Sequence, residues 1–151
     1  QNRGLCRYIG VSNFTIDNLK ELEEKYDVLP AINQVEFHPY HYQKELLEYC
    51  NSKNIIIEAY SPLVHAKRMD EPRLMAISDE LGKTPAQVLI RWAIQRGMVV
   101  LPKSVNQDRI VENFAVFDFD ISNSLMKRLD DLDERYVTCW DPHNPPPYAP
   151  V

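Results

Sequence analysis

The chain has 151 residues, 44% of them hydrophobic and 26% charged, with a formal net charge of −5 and a pI of about 5.4. That is enough apolar material for one domain with its own core, and the acidic balance argues against nucleic acid or an anionic membrane as a principal partner. No apolar run approaches the ~18 residues of a membrane span and no secretory leader is visible, so a cytoplasmic protein is expected.

In chain order, Arg7-Tyr8-Ile9-Gly10-Val11 predicts a short strand that Ser12-Asn13-Phe14 ends. Thr15 is a good N-cap for a helix running to about Tyr26, with Ile16, Leu19 and Leu22 on its buried side. Pro30 breaks the chain. Ala31-Ile32-Asn33-Gln34-Val35-Glu36-Phe37 predicts a second strand, closed by His38-Pro39-Tyr40. A helix follows from about Lys44, with Leu46, Leu47 and Cys50 on one face. Ile55-Ile56-Ile57-Glu58-Ala59-Tyr60 predicts a third strand, ending at Ser61-Pro62-Leu63. After a polar connection, Pro72 to Leu81 predicts a helix with Gly82 as its C-cap. Thr84-Pro85-Ala86-Gln87 then supplies an N-cap threonine, proline at the first helical position and glutamine three residues after the cap, a capping box. Val88, Leu89, Trp92 and Ala93 continue the apolar stripe to Gly97.

Met98 to Leu101 predicts a short buried strand, which Pro102 ends because it has no N–H to donate. Lys103 and Ser104 follow the strand end. Ser104 or Asn106 can cap a helix that carries Arg109, Glu112 and Asn113 on one face, pointing back towards Lys103. Two cations, a carboxylate, an amide and a helix N-terminus then converge, which suits a phosphate attached to a polar, planar group. The plainer alternative is a surface helix whose Arg109 pairs with Asp108 or Glu112. A last helix, about Ser122 to Leu132, shows Leu125, Leu129 and Leu132. The tail 141–151 holds five prolines, so it is expected to be extended.

Strand and helix alternate about four times, the pattern of a parallel sheet with right-handed crossovers. No G-x-G-x-x-G sequence is present, which disfavours a doubly wound dinucleotide-binding sheet. In a barrel of parallel strands, functional groups sit where the strands end. Here those ends carry Ser12-Asn13, Gln34, Tyr60-Ser61 and Lys103-Ser104, all polar. Cys6, Cys50 and Cys139 are irregularly spaced and suit free thiols in a reducing compartment. His38 and His41 form only a weak pair, and no metal site is expected.

The stretch Leu101-Pro102-Lys103-Ser104 followed by Arg109-Ile110-x-Glu112-Asn113 resembles the adenine-end cofactor motif of the aldo-keto reductases, at strand eight of their barrel. G-V-S-N-F at Gly10 to Phe14 and N-Q-V-E at Asn33 to Glu36 are near-verbatim wording of the same family, in the right order. The resemblance covers essentially the whole chain. It implies the C-terminal half, about four βα units, of a (β/α)8 TIM barrel over 1–140, with the Pro-rich tail 141–151. It places Ser12, Asn13 and Gln34 at the nicotinamide carboxamide and Tyr60 stacked on the nicotinamide ring. Ser61 and Leu63 fall at the pyrophosphate, and Lys103, Ser104, Arg109, Glu112 and Asn113 at the adenine end. Lys103 with Arg109 favours a 2′-phosphate, hence NADPH over NADH.

By the same resemblance the family's catalytic tyrosine, lysine, aspartate and histidine precede G-V-S-N-F, so no catalytic residue is named in this chain. A complete barrel of this kind needs eight strands and roughly 250 residues. Gln1 is not an initiator methionine, and a piece of a longer protein is expected. An N-terminal half-barrel, in the same or another chain, is therefore an implied partner, beside a small carbonyl substrate. Val64-His65-Ala66-Lys67-Arg68 stands where the family has glycine after S-x-L and is short for the flap that straps the pyrophosphate. Trp140 is placed at the substrate pocket. Two other readings remain: a half-barrel that binds nucleotide or a partner without catalysis, and an interaction protein read through Pro145-Pro146-Pro147-Tyr148, a P-P-x-Y ligand of WW domains.

Overall fold

The computed structural model describes residues 4–139. The expected Trp140 contact and the Pro-rich tail lie outside that range. Four parallel strands form one sheet in the order β1 (Gly10–Ser12), β2 (Ile32–Glu36), β3 (Ile56–Tyr60), β4 (Val99–Val100). Helices α1 (Ile16–Lys25) and α2 (Lys44–Ser52) make the first two crossovers. Helices α3 (Pro72–Leu81) and α4 (Pro85–Gln95) both lie between β3 and β4, and α5 (Gln107–Phe114) and α6 (Asn123–Asp130) follow.

The strand register sorts the side chains into two faces, because alternate residues point to opposite sides. Val11, Asn33 and Ile57 share one row, and Val35, Ala59 and Val100 the next. On this face Asn33, Val35, Ile57 and Ala59 are all buried, packed with Leu19, Leu74, Ile77, Val88, Leu89 and Trp92 from the helices. The other face carries Ser12, Gln34, Glu58 and Val99 in one row. Among the described residues no helix core packs on it as on the first face, and Ile56, Val99 and Leu101 remain exposed there.

The expected helices form for the expected reasons. Thr15 and Thr84 each cap their helix with a reciprocal capping box, and Ser122 caps α6. Gly82 ends α3 with φ of 62°, a left-handed turn that suits a residue without a Cβ. Leu46, Leu47 and Cys50 are buried in α2 as the apolar pattern requires. Of the two candidate caps for α5, Asn106 does the work. Its side chain accepts from the Arg109 N–H at 3.1 Å, while Ser104 Oγ accepts from the Asn106 N–H at 3.1 Å.

The two outer strands are shorter than expected. Arg7 to Ile9 lies outside β1, and Met98 and Leu101 lie outside β4. Each of these strands has one neighbour among the described residues. The ladder lasts only as long as that single partner faces it, and Ile9 O accepting from the Ala31 N–H at 2.8 Å is its last bond upstream of β1.

Thr84 also ties α4 to α5, since its hydroxyl donates to Glu112 Oε1 at 2.6 Å. Thr84→Ala is expected to cost about 1–2 kcal/mol, read as a lower urea midpoint of the full-length protein, and Thr84→Ser to restore most of it.

Candidate functional site

The polar residues of the strand ends meet on one side of the sheet. Asn13 takes φ of 58°, a left-handed conformation that asparagine tolerates. This turns the chain sharply after β1. The turn is pinned from β2: buried Asn33 donates from Nδ2 to Phe14 O at 2.9 Å and accepts from the Phe14 N–H at 3.3 Å. The Asn13 N–H and Ser12 Oγ both donate to the Gln34 carbonyl, at 2.9 and 3.0 Å. Tyr60, at the end of β3, donates its hydroxyl to Asn13 Oδ1 at 3.0 Å. Burial, with Glu36 and Cys139 nearby, pushes the Tyr60 phenol up to about 12, so it holds its proton. Gln34 Nε2 donates to Glu58 Oε2 at 2.6 Å. Three of the four strand ends are therefore linked by side-chain hydrogen bonds.

Glu36 anchors the far end of the chain to this region. It is only 3% exposed. Its Oε1 accepts from His38 Nε2 at 3.0 Å, from the Thr138 N–H at 2.7 Å and from the Thr138 hydroxyl; its Oε2 accepts from the Cys139 N–H at 3.1 Å. Burial alone would raise this carboxyl, but the four donors outweigh it and hold it down to about 2.

After β3 the backbone is strained. Ser61 has φ of 50°, and Val64, His65 and Ala66, which form a short 3-10 turn, have φ of 53°, 52° and 60°. Val64 thus keeps a glycine-like conformation at the position where the sequence departs from the expected glycine. A β-branched residue adopts it only when the surroundings impose it. The turn brings His65 Nε2 to 3.1 Å from Ser61 Oγ and 3.4 Å from Cys139 Sγ, with Ser61 Oγ 3.3 Å from Cys139 Sγ. Leu63 is half-buried beside this cluster.

At the β4 end, Lys103 and Arg109 are exposed, and neither makes an ion pair among the described residues. The alternative in which Arg109 pairs with Asp108 or Glu112 is therefore not what forms. Glu112 is drawn away to Thr84, and Asn113 is 8% exposed. The face expected to gather Arg109, Glu112 and Asn113 thus divides: Arg109 stands in solvent while Glu112 and Asn113 sit against the fold. A groove of about 420 Å³ runs beside them, lined by Pro102, Ser104, Ile110, Val111, Asn113 and Phe114. Cations next to an apolar groove can take a phosphate joined to a flat ring.

Sequence reasoning missed Glu58, His65, Cys139, Asn33 and Glu36 as parts of this region. Glu58 carried the clearest signal, being the one charge inside an otherwise apolar strand. Among the described residues, no group of three or more His, Cys, Asp or Glu could hold a metal ion, and no helix is long and apolar enough to cross a membrane.

Known proteins resemble both the sequence and the fold. Glyoxal reductase of Bacillus subtilis is 45% identical over 134 residues, which cover 87% of this chain and 49% of that protein. An uncharacterized oxidoreductase of Schizosaccharomyces pombe is 44% identical over 140 residues, 92% of this chain and 51% of that one. Among solved structures, an aldo-keto reductase from a Medee basin deep-sea metagenome library matches with a TM-score of 0.89 and 36% identity over 95% of this chain and 55% of its own. The aldo-keto reductase of Bombyx mori in complex with NADP matches with a TM-score of 0.83 and 33% identity, over 91% and 48%. The chain spans about half the length of the curated relatives it matches. The model of the aldo/keto reductase family matches residues 1–71 and 65–134, overlapping at the strained turn and taking in every strand and helix described above. With that model matching most of its length, the chain belongs to the aldo/keto reductase family.

Proposed function

We propose that this chain is the C-terminal, cofactor-binding half of an NADPH-dependent reductase that converts small aldehydes or ketones to alcohols. One observation carries the reading: the ends of parallel strands present Ser12, Asn13, Gln34 and Tyr60 as a linked polar set, and β4 leads into two cations, without an ion pair among the described residues, beside an apolar groove. Those residues fit a nicotinamide dinucleotide phosphate. Asn13 and Gln34 offer a donor and an acceptor to a carboxamide, and Tyr60 offers a flat ring. Ser61 and Leu63 line the path of the pyrophosphate. Lys103 and Arg109 neutralise a 2′-phosphate, with Ser104, Glu112 and Asn113 shaping the groove for adenosine. The bound dinucleotide supplies the hydride for a carbonyl carbon. This half holds and orients it, and the proton for the carbonyl oxygen comes from the N-terminal half of the barrel. Trp140 belongs to the substrate rim, and the reaction takes place in the cytoplasm. The NADP complex of the Bombyx mori relative and the carbonyl substrate named for the Bacillus subtilis relative support this reading.

In the full-length protein, NADPH is expected to quench tryptophan fluorescence saturably, and absorbance at 340 nm to fall when an aldehyde such as glyoxal is added. No NADPH binding would remove the reading. A second reading is a half-barrel that binds nucleotide or a protein partner without turnover. The uncovered sheet face with exposed Ile56, Val99 and Leu101 favours it. It predicts saturable NADPH binding with no consumption of any carbonyl, together with a stable complex with another chain.

A further inference from the structure

We propose that Glu58 fixes the orientation of the Gln34 amide and so makes the strand-end site selective for a primary carboxamide. The inference rests on the cofactor reading above and assigns a positioning role to a residue outside it. Gln34 and Glu58 are direct register partners on β2 and β3, with Ser12 on the other side of Gln34 in the same row. A carboxylate offers only acceptors. The end of the Gln34 amide that meets Glu58 Oε2 at 2.6 Å is therefore its NH₂, and Oε1 is left to accept. Without that carboxylate, the two ends of the amide would be interchangeable at this position.

The neighbouring groups are committed in a matching way. Tyr60 donates to Asn13 Oδ1, which leaves the Asn13 NH₂ to donate. Ser12 Oγ spends its proton on the Gln34 carbonyl, which leaves that hydroxyl an acceptor. Asn13 and Gln34 are held side by side by the 2.9 Å bond from the Asn13 N–H to the Gln34 carbonyl. The strand ends thus present one donor beside two acceptors. A primary carboxamide has the complementary pattern, a carbonyl beside an NH₂. A methyl ketone of the same shape satisfies the donor and leaves the acceptors unused.

The test compares NADPH with its reduced 3-acetylpyridine analogue, in which a methyl ketone replaces the carboxamide. Dissociation constants are measured by fluorescence titration on the full-length protein and two variants. The wild type is expected to prefer NADPH by about tenfold, the worth of one hydrogen bond. In Glu58→Met the preference should fall to within about twofold, because Gln34 can present either end. Glu58→Gln, whose amide can donate to Gln34 as well as accept from it, should lose the preference too, since Gln34 can again present either end. Adenosine 2′,5′-bisphosphate, which lacks the nicotinamide, should bind all three alike and so report an intact fold. Should Glu58→Met fail that control, Glu58→Val, whose branched side chain suits a strand, carries the same expectation. A wild-type preference that survives in the apolar variant, or in Glu58→Gln, overturns the role of Glu58 alone. Absence of NADPH binding by the wild type overturns the cofactor reading together with it.

Discussion

Replacing Glu36 by glutamine is expected to destabilise the full-length protein by about 3 kcal/mol at neutral pH. The figure follows from a carboxyl held at about 2 against an ordinary value of 4.5. Burial opposes the charge here, and bonds from His38, Thr138 and Cys139 overcome it. Glutamine keeps the shape of the side chain. It cannot, however, accept at both ends, so the bond from the Cys139 N–H or those from Thr138 must be given up. The folded carboxyl lies below its unfolded value, so its contribution is complete above about pH 4.5 and is lost as pH falls towards 2. The gap between wild type and Glu36→Gln in urea unfolding should therefore be widest near neutrality and close across that window. A gap that stays constant from pH 7 to pH 3 would show that the charge contributes nothing. The variant should also loosen the 138–139 segment, seen as faster amide exchange at whichever of the two residues loses its acceptor.

Arg109→Ala should weaken NADPH binding by about 2 kcal/mol, on the order of thirtyfold, while leaving NADH within about threefold. Arg109 stands exposed at the first turn of α5, and no carboxylate among the described residues competes for it. Its charge is thus available to a dianion that NADH lacks. Lys103 remains in the variant, so the loss should be partial, and Lys103→Ala should lower NADPH affinity by less, as a single point charge does. Because the pair is solvent-facing, the preference for NADPH should shrink as ionic strength rises. Equal loss of both cofactors in Arg109→Ala would sink the 2′-phosphate assignment.

Much of this was legible in the sequence because it is local. Thr15, Thr84 and Ser122 announce their helices within four residues, and Gly82 its stop. The polar pairs after each apolar run locate the strand ends, since an apolar strand gives way to polar residues where it leaves the core. What stayed hidden depends on partners far away in the chain. Glu36 meets Thr138 across 102 positions, and Gln34 meets Glu58 only because β2 and β3 pair in one register. Ser61, His65 and Cys139 come together through a turn of three left-handed residues, none of them glycine, and no local propensity anticipates that. The strand at Arg7 to Ile9 failed for the opposite reason. Its composition suits a strand, but among the described residues the ladder with β2 goes no further upstream than the bond from the Ala31 N–H to Ile9 O.

The row of Ser12, Gln34 and Glu58 sets where the sequence can change in length. Deleting a single residue early in β2 would move every later side chain of that strand to the opposite face. Asn33 and Val35 would turn to the uncovered side, and Gln34 with the carboxylate of Glu36 would be driven into the layer packed against the helices. Insertions and deletions should therefore be absent from β2 and β3 in natural relatives and collect in connections such as 26–29 and 67–70, where an added residue shifts no face.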